Sequence, residues 1–284
     1  MSGWFSNGGA VKAGERVALV AGQGEFPVRV AEELMRAGAK VLAVSVERDG
    51  PDGRDELTAA ADERVAVQVS EGVKALDAIK ARGIRKALFV GKIVKHKMYE
   101  PGFKPDEVSD RILKTAGREK GDHRILKALS AFLHLNGIRV VGVHELLPGW
   151  VAPGRTLGRI QPDAETLADI RIGLEKARAV GRLDIGQAVA VKNGTVIAVE
   201  GIEGTDAMIE RVGSLGIRGA VLVKTAKPQQ DLRFDMPVIG CQTLENASKA
   251  FFAAVCAEKG RTLFAEPGRM TAVADRLGIV LAGI

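Results

Sequence analysis

The chain has 284 residues, 46% hydrophobic and 27% charged, a length and balance suited to one large or two modest soluble domains, each burying its own core. Its 41 Lys and Arg outweigh 35 Asp and Glu to give a net charge of +6, which favours anionic partners such as nucleotides, phosphates or an acidic bilayer surface; at 4% aromatics, a base-stacking nucleic-acid platform is excluded. Cys241 and Cys256 are too few for a disulfide framework, the first residues lack the cationic and apolar regions of a leader, and no apolar run approaches ~18 residues, so reduced thiols and neither leader nor membrane span are expected.

Arg16–Ala21 reads as a short buried strand broken by Gly22-Gln23-Gly24. Pro27 suits a first helical turn, Val30, Ala31, Leu34 and Met35 follow at helical spacing, and Lys40–Val46 is the next strand. That β-loop-α-β unit starts a parallel sheet. Its Gly-x-Gly turn can offer backbone amides to a phosphate or a sugar. Pro27 stands where the full dinucleotide fingerprint has its third Gly, so a plain tight turn explains the pattern as well. Asp49–Glu63 reads as a surface excursion, Val65–Val69 as a strand, Val73–Ala81 as a helix and Ala87–Val90 as a strand. Gly91-Lys92 then fall at the edge where parallel sheets bind ligands; Lys95, His96 and Lys97 behind them read equally as a basic surface loop. Helices at about Asp106–Ala116 and Arg124–Asn136 and a strand at Val140–Val143 complete an open α/β layer over residues 1–150.

Pro148–Gly158 holds two Pro and three Gly and is the linker candidate, at about residues 151–159, before a second α/β domain over 160–284. There Asp163–Val180 reads as a helix. Asn193-Gly194 joins Ala188–Val191 to Val196–Glu200 in a two-residue hairpin. A helix to about Leu215, a strand at Val221–Val223, a helix over Asn246–Lys259, a strand at Thr262–Phe264, a helix over Met270–Leu277 and a strand at Ile279–Leu281 follow.

The chemistry concentrates in this second half. Lys224, Lys227, Gln229, Gln230, Asp231, Arg233 and Asp235 lie between two apolar segments, a mixture that suits an anionic ligand bridged by a hard cation; a solvated loop with surface ion pairs would share this composition. Asp184–Gln187 precedes the first hairpin strand and Glu200–Asp206 follows the second. Thr205 or Asp206 suits a helix cap. Glu200, Glu203, Asp231 and Asp235 would repel one another unless a cation, Lys or Arg sits among them, and Mg²⁺ is the natural candidate. The chain has no G-x-S-x-G, H-E-x-x-H or C-x-x-C, and Gly121-Asp122-His123 has no companion Asn-His-Glu.

VALVAGQGEFP (17–27), ELLP (145–148), DIGQAV (184–189), EGIEGTDAMI (200–209) and KTAKPQQDLRFDMPVIG (224–240) resemble the bacterial UDP-2,3-diacylglucosamine pyrophosphatases of the LpxI type, over nearly the whole chain. Gly201 stands where an Ala is common there, and the first nine residues look like an extension. The resemblance implies a Rossmann-like N-terminal domain and a C-terminal α/β domain of unusual topology. It implies Mg²⁺-dependent hydrolysis of UDP-2,3-diacylglucosamine to UMP and 2,3-diacylglucosamine 1-phosphate (lipid X) in lipid A biosynthesis, water attacking the α-phosphorus of a substrate held between the domains. The setting it implies is peripheral, on the cytoplasmic face of the inner membrane, with no nucleic acid; a homodimer is open. Within that frame Asp206 and Asp231 are the candidates for metal or attacking water, with Glu203 and Asp235 next. Lys224, Lys227 and Arg233 would grip the pyrophosphate. Gln187, Gln230 and Thr205 would bond phosphate or sugar oxygens, and Gly22, Gln23, Gly24 and Lys92 would bind substrate from the first domain. Phe251, Phe252 and Val255 are candidates for the acyl chains, a role that competes with core packing. A nucleotide-binding scaffold without turnover is the alternative reading.

Overall fold

The structure, a computed structural model, describes residues 11–48, 55–92, 102–117 and 122–284. The chain divides into two compact units, one comprising Met1–Pro148 with Arg233–Asp235 and the other Gly149–Leu232 with Met236–Ile284.

The first unit runs β1 (Arg16–Ala21), α1 (Phe26–Arg36), β2 (Lys40–Val46), α2 (Leu57–Ala60), β3 (Glu63–Val67), α3 (Gly72–Ala81), β4 (Lys86–Val90), α4 (Glu107–Ala116), α5 (Asp122–Leu135), β5 (Arg139–Val140) and α6 (Val143–Leu146). Its five strands are all parallel in the order β3-β2-β1-β4-β5. Every residue of β1 after Arg16 is buried, as a central strand covered on both faces requires. The chain winds outward from β1 through β2 to β3, then returns to β4 on the other side of β1. The β1/β4 seam is therefore the topological switch point of a Rossmann-like sheet, where such folds bind ligands.

Two local expectations change here. Residues 49–54 lie outside the described residues; of the rest of the expected surface excursion, Asp55, Leu57 and Ala60 turn inward while the residues between them stay exposed. Asp55 is 7% exposed and accepts from the Ser45 hydroxyl, the Leu57 amide (3.1 Å) and the Nε atoms of Arg48 and Arg64 (3.2 Å each). Burying two guanidinium groups beside β2 needs an anion among them, and the excursion supplies it. The strand over Val140–Val143 stops at Val140, because Gly142 caps α6 and its amide donates to the Glu145 carboxylate at 2.9 Å. Phe234 packs on this unit's core, its ring centroid 5.5 Å from that of Phe89.

The second unit runs β6 (Thr156–Leu157), α7 (Ala164–Arg182), β7 (Ala188–Lys192), β8 (Thr195–Val199), α8 (Thr205–Ser214), β9 (Val221–Lys224), β10 (Val238–Ile239), α9 (Cys241–Lys249), β11 (Ala254–Ala257), β12 (Leu263–Phe264), α10 (Pro267–Leu277) and β13 (Val280–Gly283). Six strands form a mixed sheet, β6-β13-β11-β9-β7-β8, in which β13, β11 and β9 are parallel and β6, β7 and β8 enter by antiparallel pairings; β10 and β12 form a small parallel pair. Alternate residues serve opposite faces: Ala188, Ala190 and Leu222 join the core under α8, α9 and α10, while Val189, Val191, Val221 and Val223 pack with Ile170 and Ala177 of α7. The Asn193-Gly194 turn takes positive φ at both positions (48° and 75°). The buried Asp169 carboxylate of α7 accepts both turn amides, at 2.9 and 2.7 Å, which ties the hairpin to the helix.

The helix expected over Asn246–Lys259 is half right. α9 ends at Lys249, Phe251 adopts φ 59°, and Ala254–Ala257 is a fully buried strand between β9 and β13. A short apolar run buried on both sides has no period of its own and reads as helix or strand alike. Phe252 and Val255 are core residues, whereas Phe251 is half exposed beneath the Arg218 guanidinium, 3.8 Å from its ring centroid. Cys256 lies in that strand, and burial pushes its thiol pKa up to about 12, which makes it an inert core thiol.

Candidate active site

In the first unit, the loop after β1 and the end of β4 are stitched together at the switch point. The Gly22 amide donates to Val90 O at 2.8 Å, and Gln23 and Lys92 exchange backbone bonds at 2.8 and 3.2 Å. A Cβ on Gly22 would stand 2.7 Å from the Lys92 carbonyl, so glycine is needed there for close approach of two backbones. The amides of Gly22 and Gln23, expected from the Gly-x-Gly pattern to face a ligand, are thus taken by the carbonyls of Val90 and Lys92. Arg48 Nη1 donates to the carbonyls of Gly22 and, at 2.8 Å, Gly24, and the Gln23 side-chain amide donates to Glu47 O. Burial alone would raise the Asp55 pKa, but Ser45, the Leu57 amide and Arg48 outweigh it and hold the carboxyl below its usual range. A charged pair therefore braces the loop from below, while Gln23, Gly24 and Lys92 are exposed on its outer side. Lys95, His96, Lys97 and Gly121, and the side chains of Asp122 and His123, lie outside the described residues.

In the second unit, four chain segments converge at one end of the mixed sheet: the turn before β7, the turn after β8, the start of α8 and the end of β9. Their hub is Glu200, 6% exposed. Its Oε2 accepts the Gln187 amide at 2.9 Å, and its Oε1 accepts the Thr205 hydroxyl at 2.6 Å. Lys224 Nζ donates to Thr205 Oγ1 at 3.1 Å and to Val238 O at 3.2 Å. Beyond β9 the loop folds on itself. Gln230 accepts the Lys227 amide at 2.8 Å and reaches Gln187 Oε1 at 3.4 Å, while Lys227 Nζ pairs with Asp184 at 2.7 Å. Lys227, Asp184, Gln187, Glu200, Ile185 and Ile202 line an open depression of about 380 Å³.

The structure brings Gln187, Thr205, Lys224, Lys227 and Gln230 together, and it gathers no three of the four carboxylates expected on a metal. Glu203 closes back on the Gly201 amide (3.0 Å) and Arg211 (2.8 Å), and its own backbone amide and that guanidinium hold its pKa below the ordinary value. Asp206 is exposed in the first turn of α8, where helix amides favour an anion. Asp231 is half-buried; Arg233 and Asp235 fall with the first unit, Arg233 Nη1 lying 3.4 Å from Ser130 Oγ. Among the described residues, no group of three or more His, Cys, Asp or Glu is placed to hold a metal ion. Asp206 and Asp231 remain suitable hard oxygen donors, because Mg²⁺ is commonly held by one or two carboxylates with substrate phosphates completing its shell.

Sequence reasoning passed over Glu258. It is 5% exposed, pairs with Arg178 (2.8 Å) and Arg261 (3.6 Å), and accepts the Ala226 amide at 3.3 Å, which fixes the base of the Lys224–Gln230 loop. A charge directly after the AVCA strand was the available signal, and the helix reading hid it.

A Rossmann-like unit with a braced switch-point loop, followed by a mixed-sheet unit that gathers Lys, Gln and carboxylates at one end, defines a two-unit α/β protein equipped for an oxygen-rich anionic ligand. The LpxI N-terminal domain matches residues 16–150 and the LpxI C-terminal domain residues 153–282. The UDP-2,3-diacylglucosamine pyrophosphatase LpxI of Caulobacter vibrioides is 34% identical over 282 residues, covering 95% of this chain and 97% of that protein. The chain belongs to the LpxI family. Solved structures with some likeness include the C-terminal domain of the coenzyme A biosynthesis bifunctional protein CoaBC, 20% identical over 41% of this chain and 63% of that one. Another is N5-carboxyaminoimidazole synthetase of Staphylococcus aureus, 12% identical over 71% and 44%; at a TM-score of 0.24 each, neither carries an argument.

Proposed function

We propose that this chain hydrolyses UDP-2,3-diacylglucosamine to UMP and 2,3-diacylglucosamine 1-phosphate, a step of lipid A synthesis, with Mg²⁺ as cofactor. The observation that carries the reading is the near full-length similarity to the Caulobacter vibrioides pyrophosphatase. The site chemistry supports it. Lys224, held beside the start of α8 by Thr205, forms an anion-binding corner with Lys227, Gln187 and Gln230.

In this reading water attacks the α-phosphorus. A new P–O bond forms to the uridylyl phosphate, the bond to the bridging oxygen breaks, and that oxygen leaves with the lipid phosphate. Lys224 and Lys227 hold the non-bridging oxygens as charge builds on them, and Asp206 or Asp231 orients the water and takes its proton. The same two aspartates would hold the metal, which supplies charge neutralisation at the phosphates when bound. The +6 chain works at the inner face of the inner membrane as a peripheral protein, and no helix among the described residues is long and apolar enough to cross a membrane.

The test is hydrolysis of UDP-2,3-diacylglucosamine with Mg²⁺ in ¹⁸O-water. The label is expected in UMP, with release abolished by EDTA. Tight binding of the intact substrate without products would make the chain a sugar-nucleotide-binding scaffold instead.

A further inference from the structure

Two donors converge on opposite ends of one buried side chain. The Gln187 amide and the Thr205 hydroxyl each give a hydrogen to Glu200, one per carboxylate oxygen. Thr205 has no freedom in this, because its other neighbour, the Lys224 ammonium, is a donor without lone pairs and can only give. The hydroxyl must accept from Lys224 and donate to Glu200. At 2.6 Å the Thr205–Glu200 bond has the length of a charge-assisted O–H···O⁻ contact. Position 200 thus requires two acceptor oxygens, which a carboxylate offers and an amide does not. A glutamine there would keep one bond and face the other donor with its own NH₂.

We infer that Glu200 is the positioning residue of the site, aiming the Lys224 ammonium through Thr205 and holding Gln187 through its backbone, so that both stand where a pyrophosphate group is gripped. The inference rests on the proposed function for what is gripped, and on the geometry for how. Glu200 acts on Lys224 through the Thr205 hydroxyl, which it holds by its own hydrogen bond. The carboxylate is already desolvated and satisfied in the folded chain, so no reorganisation is needed when the anion arrives. Gly186 belongs to the same construction: a Cβ there would fall 2.0 Å from Glu200 O, so this close approach of the two turns depends on a residue without a side chain.

The experiment is a double-mutant cycle on the full chain with Glu200→Gln and Thr205→Val, with Thr205→Ser as the conservative control. Two readouts are taken: kcat and KM for UMP release, and affinity for inorganic pyrophosphate by calorimetry. Glu200→Gln and Thr205→Val should each lower kcat/KM and pyrophosphate affinity by about 10-fold or more, and the double variant should be no worse than the poorer single within about threefold, because the residues act as one chain. Thr205→Ser, which restores the hydroxyl, should recover most of what Thr205→Val loses on both readouts. Multiplicative losses in the double variant, or a Glu200→Gln protein within twofold of the parent, would overturn the inference. If Glu200→Gln fails to fold, the Val/Ser contrast at Thr205 decides alone, equal effects counting against it. A parent protein that releases no UMP would remove the proposed function but leave the pyrophosphate cycle to judge the positioning role.

Discussion

Gly186→Ala is the sharpest steric test of how this end of the second unit is built. The new Cβ would lie 2.0 Å from the Glu200 carbonyl oxygen and 2.8 Å from its carbonyl carbon, both backbone atoms at the end of β8. Bringing that oxygen out to about 3 Å requires the two turns to separate by roughly 1 Å, since backbone cannot swing aside as a long side chain can. The separation strains or breaks the Gln187–Glu200 bond at 2.9 Å and the Glu200–Ala188 backbone bond at 2.9 Å. Overpacking at ~1–3 kcal/mol and one lost hydrogen bond at ~1 kcal/mol together give a loss of about 2–4 kcal/mol. For a chain of 284 residues that lowers the midpoint of the thermal transition by roughly 3–7 °C. Gly240→Ala is the matched control, with no atom within 4 Å of its Cβ and an ordinary φ of −128°. Calorimetry of both variants decides the matter. A Gly186→Ala transition within about 2 °C of the parent would show that the turns are free to move apart and that the rigid-hub account is wrong.

Asp206→Ala and Asp231→Ala should each lower kcat by at least ~10²-fold while leaving the thermal midpoint nearly unchanged, and a variant with parental turnover would remove that aspartate from the site. Acid should loosen the first unit through Asp55. Its folded pKa lies below the ordinary aspartate value of 3.8, so its contribution to stability is full above that value and is lost as pH falls through the lower folded one. Denaturant midpoints followed below about pH 4 should therefore show a steeper acid decline for the parent than for Asp55→Asn, which starts less stable; parallel curves would refute the pairing.

How much of this was legible depended on whether a signal was local. The β1-Gly22-Gln23-Gly24-α1 unit, the Asn193-Gly194 turn and the parallel character of the first sheet were read from strand length and turn residues alone, and the structure has them. Ala254–Ala257 was misread because its neighbours β9 and β13, which make it a strand, come from elsewhere in the sequence. The same holds for side chains. Gln187, Thr205 and Lys224 were named from residue type near strand ends, but nothing in the order of residues says that Thr205 must stand between Glu200 and Lys224. Arg48 was invisible, since its task of tying the carbonyls of Gly22 and Gly24 exists only once β2 lies beside β1.

These contacts also relieve much of the repulsion that would otherwise call for a cation. Clustered carboxylates were expected to repel unless a metal or basic groups lay among them. In the second unit several have found their own donors: Glu200 in Gln187 and Thr205, Glu203 in Arg211, Glu258 in Arg178, and Asp184 in Lys227 and Gln229. Local repulsion is relieved inside the protein, so the case for Mg²⁺ rests on Asp206 and Asp231 and on the charge of the substrate. The two lysines differ for the same reason. Lys227 holds an exposed carboxylate, a contact of small net strength in water, and can exchange Asp184 for a phosphate oxygen with little loss. Lys224 is half-buried, and its contacts include two neutral oxygens, Thr205 Oγ1 and Val238 O, so it is already aimed before a phosphate arrives. One lysine is pre-organised and the other is recruited. That division predicts that replacing Lys224 should fall mainly on kcat and replacing Lys227 mainly on KM.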